Sequence, residues 1–288
     1  MMTWTLAYLV TGAVIGLLAG LLGIGGGMTV VPVLAALFSA QQLAPAHVMH
    51  LALGTAMASI LFTGSSSVRA HHRLGSVDWG IVRRLAPPMT LGTLLATLGA
   101  GWVPQRALAL AFAVIVAGAA TQIWFGRKPA AGAQGLPGSA ALWAIGGVIG
   151  LVCGLVSAGG AFMTMPFLLW RGVPARTAIG TGAALGLPVA LLGTVGYVAS
   201  GWSAPGLPDG TLGFVLLPAL LPVVLASMLV RPTARAWRTG CRWPRCAASS
   251  PSCCGCWQRR WCGPTPERLR PGGARPRARA DPRGMIGA

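Results

Sequence analysis

Acidic residues are scarce in this chain, since Asp and Glu together number four among its 288 residues. Charged residues of both signs make up 9% of the sequence, whereas soluble globular domains carry about 25%. So few charges cannot cover a water-facing surface, and 54% of the residues are hydrophobic. The composition excludes a soluble globular protein and predicts an all-α integral membrane protein whose outer surface is covered by lipid.

Carboxylates are also missing from the apolar segments. Up to Val230 the chain has Asp78 and Asp209, and neither lies inside a predicted span. A proton relay through a buried Asp or Glu therefore has no candidate here. The sequence also lacks a nucleophile–base pair or a metal cluster of a membrane-embedded enzyme, so we do not expect an enzyme.

The apolar segments are long enough to cross a bilayer, which takes about 20 helical residues. The N-terminus has no Lys or Arg before Leu6, so we expect a retained span there rather than a cleaved signal peptide. The predicted spans are 5–24 with a continuation to 38, 46–66, 85–103, 107–125, 140–157 with a continuation to 170, 174–200 and 212–230.

An internal repeat relates the two halves of the chain. Residues 14–34 align without gaps on 148–168, with ten identities in 21 positions, and Gly54-Thr55 matches Gly180-Thr181. We therefore predict two homologous repeats of about four helices each. The first repeat covers 1–125, a linker covers 126–138, and a truncated second repeat covers 139–230.

Glycine clusters interrupt the first helix of both repeats. Gly25, Gly26 and Gly27 fall within one long apolar segment, and Gly159 and Gly160 fall at the matching place in the other. A helix broken inside the membrane exposes unpaired amides and the positive end of a helix dipole, which attract anions. We therefore predict that these glycines line an anion-binding site. Tight helix crossing is the alternative role for them.

Hydroxyl side chains follow the breaks in both repeats. Thr55 and Ser59 lie on one span and Thr181 on its counterpart, where they could donate hydrogen bonds to an oxyanion. They complete the predicted substrate-binding set, although Ser and Thr also join helices to one another. His47 and His50 share a helix face, but no carboxylate or Cys accompanies them, so no metal or other cofactor is expected.

Loop arginines predict the orientation through the positive-inside rule. If each broken segment crosses the membrane once, the basic residues divide into two groups, and the N-terminus shares the cytoplasmic side with the larger one. If the broken segments are re-entrant hairpins, this count changes. The larger group is Arg69, Arg73, Arg83, Arg84, Arg127 and Lys128, and the smaller is Arg106, Arg171 and Arg176.

The sequence changes character at Arg231, and from that residue onward it has thirteen Arg and six of the seven Cys. Read one frame over, the narrow codon sets of this stretch are compatible with a long run of Leu, Val and Ala. We therefore predict that 231–288 is an out-of-frame, disordered tail and that a last helix is lost to a frameshift. A basic tail that binds nucleic acid or anionic lipid is an alternative, as is a zinc site at Cys253, Cys254 and Cys256.

Three blocks of the sequence resemble the sulfite exporter TauE/SafE family. They are G-L-L-A-G-L-L-G-I-G-G-G-M-T-V-V-P at 16–32, L-G-T-A-M-A-S…S-S-S-V-R-A-H-H-R-L-G-S-V-D-W at 53–79, and A-I-G-T-G-A-A-L-G-L-P-V-A-L-L-G-T-V-G-Y-V-A-S-G-W at 178–202. The resemblance covers about residues 6–230. Its glycine-rich motif falls on Gly25, Gly26 and Gly27 and on Gly159 and Gly160, but Ala161 replaces the third glycine of the second copy.

The resemblance implies a multi-pass permease of the bacterial inner membrane, with seven or eight spans, that moves sulfite, organosulfonates or related anions. The expected partners are a small anionic solute and the lipid bilayer, with no nucleic acid, and a homo-oligomer is left open. A non-transporting membrane scaffold subunit is the competing hypothesis. Twin broken helices favour transport over scaffolding.

Overall fold

The computed structural model of the chain describes residues 2–22, 27–125, 135 and 137–240. These residues form helices almost throughout, which confirms the predicted all-α class, and two-residue strands β1 (Thr211–Leu212) and β2 (Val215–Leu216) are the exception. The helices are α1 (Met2–Leu22), α2 (Gly27–Ala40), α3 (Val48–Arg73), α4 (Trp79–Ala100), α5 (Gln105–Phe125), α6 (Ser139–Val156), α7 (Ala161–Trp170), α8 (Ala175–Gly201) and α9 (Leu217–Gly240).

Three of the described helices, α3, α6 and α8, are long and apolar enough to cross a membrane. Helices α3 and α8 pack against each other, and Gly193 of α8 lies against the Met57 side chain of α3. Helix α9 runs to Gly240, past the boundary that the sequence analysis places at Val230. The rest of the predicted tail, 241–288, lies outside the described residues.

The structure describes the second predicted helix break in full and the first one in part. In the first repeat α1 ends at Leu22 and α2 begins at Gly27, while Gly25 and Gly26 lie outside the described residues. In the second, α6 ends at Val156 and the next residue, Ser157, is left-handed with φ +49°. A left-handed residue terminates a helix because it turns the chain out of the helical path.

Each broken segment returns to the end of the bundle from which it starts. The Tyr8 hydroxyl, near the start of α1, donates a hydrogen bond to Gln41 Oε1, just past the end of α2, at 3.0 Å. The Tyr8 ring also lies 6.3 Å from the ring of Phe38. Helices α1 and α2 therefore form a re-entrant hairpin, and the premise that this segment crosses the membrane once is wrong.

Helix directions follow from glycines at the helix crossings. A methyl group placed on Gly12 or Gly16 of α1 would lie 2.8 Å from Val223 Cα or 2.7 Å from Ser227 Cα of α9, so these two helices run parallel. Gly146 and Gly154 of α6 meet Pro88 and Ala96 of α4 in the same order. The two closest helix pairs thus each join the first helix of one repeat to the fourth helix of the other.

The bundle has two chemically distinct ends. We call the end where α3 begins, after His47, the histidine end, and the end where α3 finishes at Arg73 the arginine end. Arg176, at the start of α8, donates from Nη2 to the carbonyl of Leu74 at 3.0 Å, so α8 starts at the arginine end and runs antiparallel to α3.

This geometry shows which of the described arginines share an end of the bundle. Arg171 and Arg176 lie at the arginine end, with Arg69, Arg73, Arg83 and Arg84. Phe214, which precedes α9, contacts the His47 ring at 5.6 Å, so α9 and its parallel neighbour α1 start at the histidine end. The start of α1 therefore lies at the end of the bundle opposite these described arginines.

Candidate functional site

The break between α6 and α7 lies inside the bundle, between α3 and α8. The Ser157 hydroxyl is fully buried and donates to the carbonyl of Leu53 at 2.9 Å. A methyl group placed on Gly159 would lie 3.3 Å from Ile60 Cγ2, and one placed on Gly160 would lie 3.1 Å from the backbone nitrogen of Gly186. The predicted residues Gly159 and Gly160 thus occupy the contact between the two longest apolar helices.

Helix α7 begins at this break with part of its amide groups unpaired. The amides of Phe162 and Thr164 donate to the carbonyls of Gly159 and Gly160, at 3.2 and 3.3 Å. Within the described part of the chain, the amides of Ala161 and Met163 have no backbone acceptor. Unpaired amides at the positive end of a helix dipole can hydrogen-bond to an anion.

Two buried residues that were not in the predicted site set support the second break. Ser157 forms the left-handed turn, and the Tyr197 hydroxyl of α8 donates to the carbonyl of Gly154 at 3.0 Å. Both side chains are fully buried. The sequence held a signal for each, since Ser157 replaces Gly23 in the repeat alignment and Tyr197 is one of two Tyr in the chain.

Thr55 and Thr181 contact helix starts of the opposite repeat. The Thr55 Oγ1 accepts a hydrogen bond from the amide of Leu216, just before α9, at 3.0 Å. The Thr181 Oγ1 accepts one from the amide of Asp78, just before α4, also at 3.0 Å. We call these two hydrogen bonds the threonine contacts. They lie toward opposite ends of the bundle, so the two hydroxyls do not converge on one site.

A glycine before each threonine makes its contact possible. Gly54 lies directly against the carbonyl of Phe214, and Gly180 lies in the same way against the carbonyl of Ser76. A side chain at either position would overlap that carbonyl oxygen. The two Gly-Thr pairs thus pack in the same way, each against a carbonyl and an amide of a segment that precedes a helix.

Gly27 and Ser59 are the remaining described residues of the predicted site. Gly27 is the first residue of α2. The Ser59 hydroxyl is buried and donates to the carbonyl of Ala56 in its own helix at 2.7 Å, while neighbouring Ile60 contacts the break. Among the described residues, no three His, Cys, Asp or Glu side chains come together as metal ligands could.

The carboxylates of the described region lie outside the helices. Asp78 precedes α4, and its Oδ1 accepts hydrogen bonds from the amides of Gly80 and Ile81 at 2.9 and 3.2 Å. Asp78 therefore acts as the N-cap of α4.

The sulfite exporter TauE/SafE family matches residues 8–238 of the chain. The chain belongs to this family. A protein of Haemophilus influenzae (strain Rd) named "Probable membrane transporter protein" is 35% identical over 229 residues, covering 79% of this chain and 86% of the relative. Membership places the chain among membrane transporters, which are not enzymes.

A second relative, from Bacillus subtilis (strain 168), is named "Probable membrane transporter protein YunE" and is 37% identical over 70 residues, covering 24% of this chain and 26% of the relative. No solved structure matches the chain.

Proposed function

We propose that this chain is a secondary transporter of small anions in the bacterial inner membrane, and that its substrate is sulfite, an organosulfonate or a related sulfur oxyanion. The family description, a sulfite exporter, supports the substrate class. The observation that carries the anion site is the buried start of α7, where Gly159 and Gly160 separate α6 from α7 between α3 and α8.

The anion would be held by backbone amides rather than by a buried cation. Gly159 and Gly160 let the start of α7 lie directly against Ile60 of α3 and Gly186 of α8. The amides of Ala161 and Met163, which have no backbone acceptor among the described residues, are the groups that would bind the anion. Neutral amides bind an oxyanion more weakly than an arginine would, and a transporter must release its substrate. On the repeat alignment, Gly25, Gly26 and Gly27 form the equivalent half of the site.

The predicted hydroxyls take a supporting part in this proposal. The oxygen atoms of Thr55 and Thr181 already accept backbone hydrogen bonds, and Ser59 donates within its own helix. We assign the two threonines to holding the repeats together and leave the contact with the anion to the glycine-flanked amides.

The orientation follows from the distribution of arginines. Because the arginine end carries nearly all loop cations of the described region and the histidine end carries Arg106, the positive-inside rule puts the arginine end in the cytoplasm. The N-terminus would then face the periplasm.

The proposal is tested with the purified full chain in proteoliposomes and labelled sulfite as the probe. Gly159→Ala adds a methyl group 3.3 Å from the movable end of the Ile60 side chain, so the fold should tolerate it while the anion loses access to an amide. We expect sulfite flux to fall about tenfold or more, as for the loss of one hydrogen bond to a charged group.

Gly147→Ala is the matched control, because nothing lies within 4 Å of the added methyl group. It should transport like the wild type. Equal flux in wild type and Gly159→Ala would rule out the site. No flux of any sulfur oxyanion by the folded protein would favour the non-transporting scaffold instead.

A further inference from the structure

A buried histidine lies at the histidine end, with one ring nitrogen in hydrogen bonds and the other without a hydrogen-bond partner. His50 is 2% exposed, and its Nε2 lies 3.0 Å from the carbonyl oxygen of Ala100 and 3.1 Å from that of Val103. Carbonyl oxygens only accept hydrogen bonds, so Nε2 carries a hydrogen. In a neutral ring Nδ1 is then a lone-pair acceptor, and it is buried without a hydrogen-bond partner.

His47 adds a second bare nitrogen beside the first. Its ring centre lies 5.6 Å from that of His50, at an interplanar angle of 72°, and its Nδ1 is also buried without a partner. The pair therefore has two ring nitrogens without a hydrogen-bond partner, and the His47 ring is partly exposed at the histidine end.

Two groups next to the histidine rings attract positive charge. The two carbonyls that face His50 lie at the C-terminal, negative end of the α4 dipole. The Phe214 ring lies 4.9 Å from the His50 ring and 5.6 Å from the His47 ring, and an aromatic face attracts a cation.

The titratable groups that face His50 are few. His47, on its own segment, is the one that interacts with it electrostatically. The end of α4 and the loop after it present the Ala100 and Val103 carbonyls, and the segment before α9 presents the uncharged ring of Phe214. Because no carboxylate competes there, an added proton resides on the imidazoles.

The other repeat carries a permanent cation at the matching position. Aligning Gly54-Thr55 on Gly180-Thr181 puts His50 opposite Arg176, since both precede the glycine by four residues. Arg176 also donates to a carbonyl at the end of a helix, that of Leu74, the C-cap of α3. The two positions thus share a contact with a helix end and differ in exposure, because Arg176 is exposed and His50 is buried.

We propose that His50 and His47 form a proton-binding site that controls transport from the histidine end of the bundle. The control passes through a short segment that touches both the histidines and a threonine contact. Phe214 lies on the two rings, and Leu216 donates its amide to Thr55 and leads into α9. A bound proton strengthens the interaction of the two histidine rings with the Phe214 ring and with the carbonyls at the end of α4. This closes the histidine end of the bundle and slows transport.

The inference rests on the proposed transport function, so its first test does not use transport. The chain has four His, and protein labelled at histidine and at backbone amides gives four assignable ring signals and a signal for the Leu216 amide. In detergent, the His50 ring signals should titrate with pH, and the Leu216 amide should shift with the same midpoint.

His50→Gln is the informative variant, because its side-chain amide can still donate to the Ala100 carbonyl. The Leu216 shift should disappear in it and persist in His72→Gln, a control at an exposed histidine at the other end of α3. A His50 ring that does not titrate in the wild type, or a Leu216 amide that ignores its titration, would overturn the inference.

The second test measures flux of methanesulfonate, whose charge is constant over this pH range. Wild-type flux should be at least about fivefold lower at pH 6 than at pH 8, whereas His50→Gln should show no such drop. Wild-type flux that is equal at both pH values overturns the control of transport. Absence of both methanesulfonate and sulfite flux at every pH counts against the proposed function, while the ring titration decides the proton site separately.

Discussion

Thr55 and Thr181 hold the starts of two helices that belong to the other repeat. Each hydroxyl oxygen accepts a hydrogen bond from a backbone amide that precedes a helix, the buried amide of Leu216 before α9 or the partly buried amide of Asp78 before α4. Both threonine side chains are almost completely buried, so water cannot replace them. These two hydrogen bonds therefore contribute to the stability of the contact between the halves.

Replacing either threonine by valine keeps the shape and leaves an amide unsatisfied. We expect Thr55→Val to lower the free energy of unfolding by about 1–3 kcal/mol, the cost of a buried donor without a partner. Thr181→Val should lower it by less, because Asp78 is exposed and water can reach its amide. Thermal unfolding of the detergent-solubilised protein would report this loss. Thr55→Ser and Thr181→Ser, which keep the oxygen, should recover most of it.

Thr121→Val is the matched control, because Thr121 is exposed and donates within its own helix to Gly118. It should unfold like the wild type. Unchanged unfolding of both buried valine variants would mean that the threonine contacts do not stabilise the protein.

For single residues, the sequence indicated the important positions but did not indicate the role of each one. The repeat singled out Thr55 and Thr181, and the breaks at Gly159 and Gly160 were found from glycine spacing alone. The partner of Thr55 lies 161 residues away and that of Thr181 lies 103 residues away. A hydroxyl that binds a solute and one that accepts a distant amide look the same in sequence, so the role could not be predicted.

At the scale of elements, hydropathy located the helices but did not reveal their direction. Helices α1 and α2 have 21 and 14 residues, which makes them about 31 and 21 Å long at 1.5 Å per residue. Together the two helices are long enough to cross the membrane once with a kink, or to enter it and return to the same side. The Tyr8–Gln41 hydrogen bond shows that the pair returns to the end from which it starts. No local sequence pattern predicts this hydrogen bond.

The re-entrant arrangement makes a prediction about sidedness. An epitope tag fused before α1 should be accessible from the periplasm, whereas a tag inserted at Gly75, between α3 and α4, should be shielded. Antibody binding to intact spheroplasts and to lysed ones measures both. A tag at Gly135, in the linker before α6, should be shielded as well, because α6 runs parallel to α4 and starts at the arginine end.

Accessibility of the Gly75 tag instead of the N-terminal tag would reverse the orientation of the whole bundle and leave the hairpin intact. Accessibility of both tags would contradict the hairpin itself, since the two sites then lie on one side.

For the whole molecule, the frame of the tail decides whether the second repeat is complete. The family match ends at residue 238, and the shifted reading supplies a further apolar run. Restoring the frame by one nucleotide near the codons for 228–235 should add a span that covers the second repeat. We expect a higher yield of folded, monodisperse protein from membranes, measured by size-exclusion chromatography in detergent.

A chain stopped after Gly240 separates two causes of a low yield. It lacks both the added span and the basic tail, so it should stay as poor as the unmodified chain if the missing span is the cause. Recovery in the stopped chain would assign the defect to the tail. No gain in the frame-restored chain would contradict the predicted frameshift.

The exchange of first helices between the repeats also orders the biogenesis of the protein. Helix α1 is the first to leave the ribosome, yet its principal neighbour, α9, is synthesised last among the described helices. The face of α1 that carries Gly12 and Gly16 therefore lacks its packing partner until the part of α9 with Val223 and Ser227 has been synthesised. Until then this face contacts the bilayer or the insertion machinery. Helix α6 finds α4 already in place, so the two hairpins mature by different routes although they pack alike.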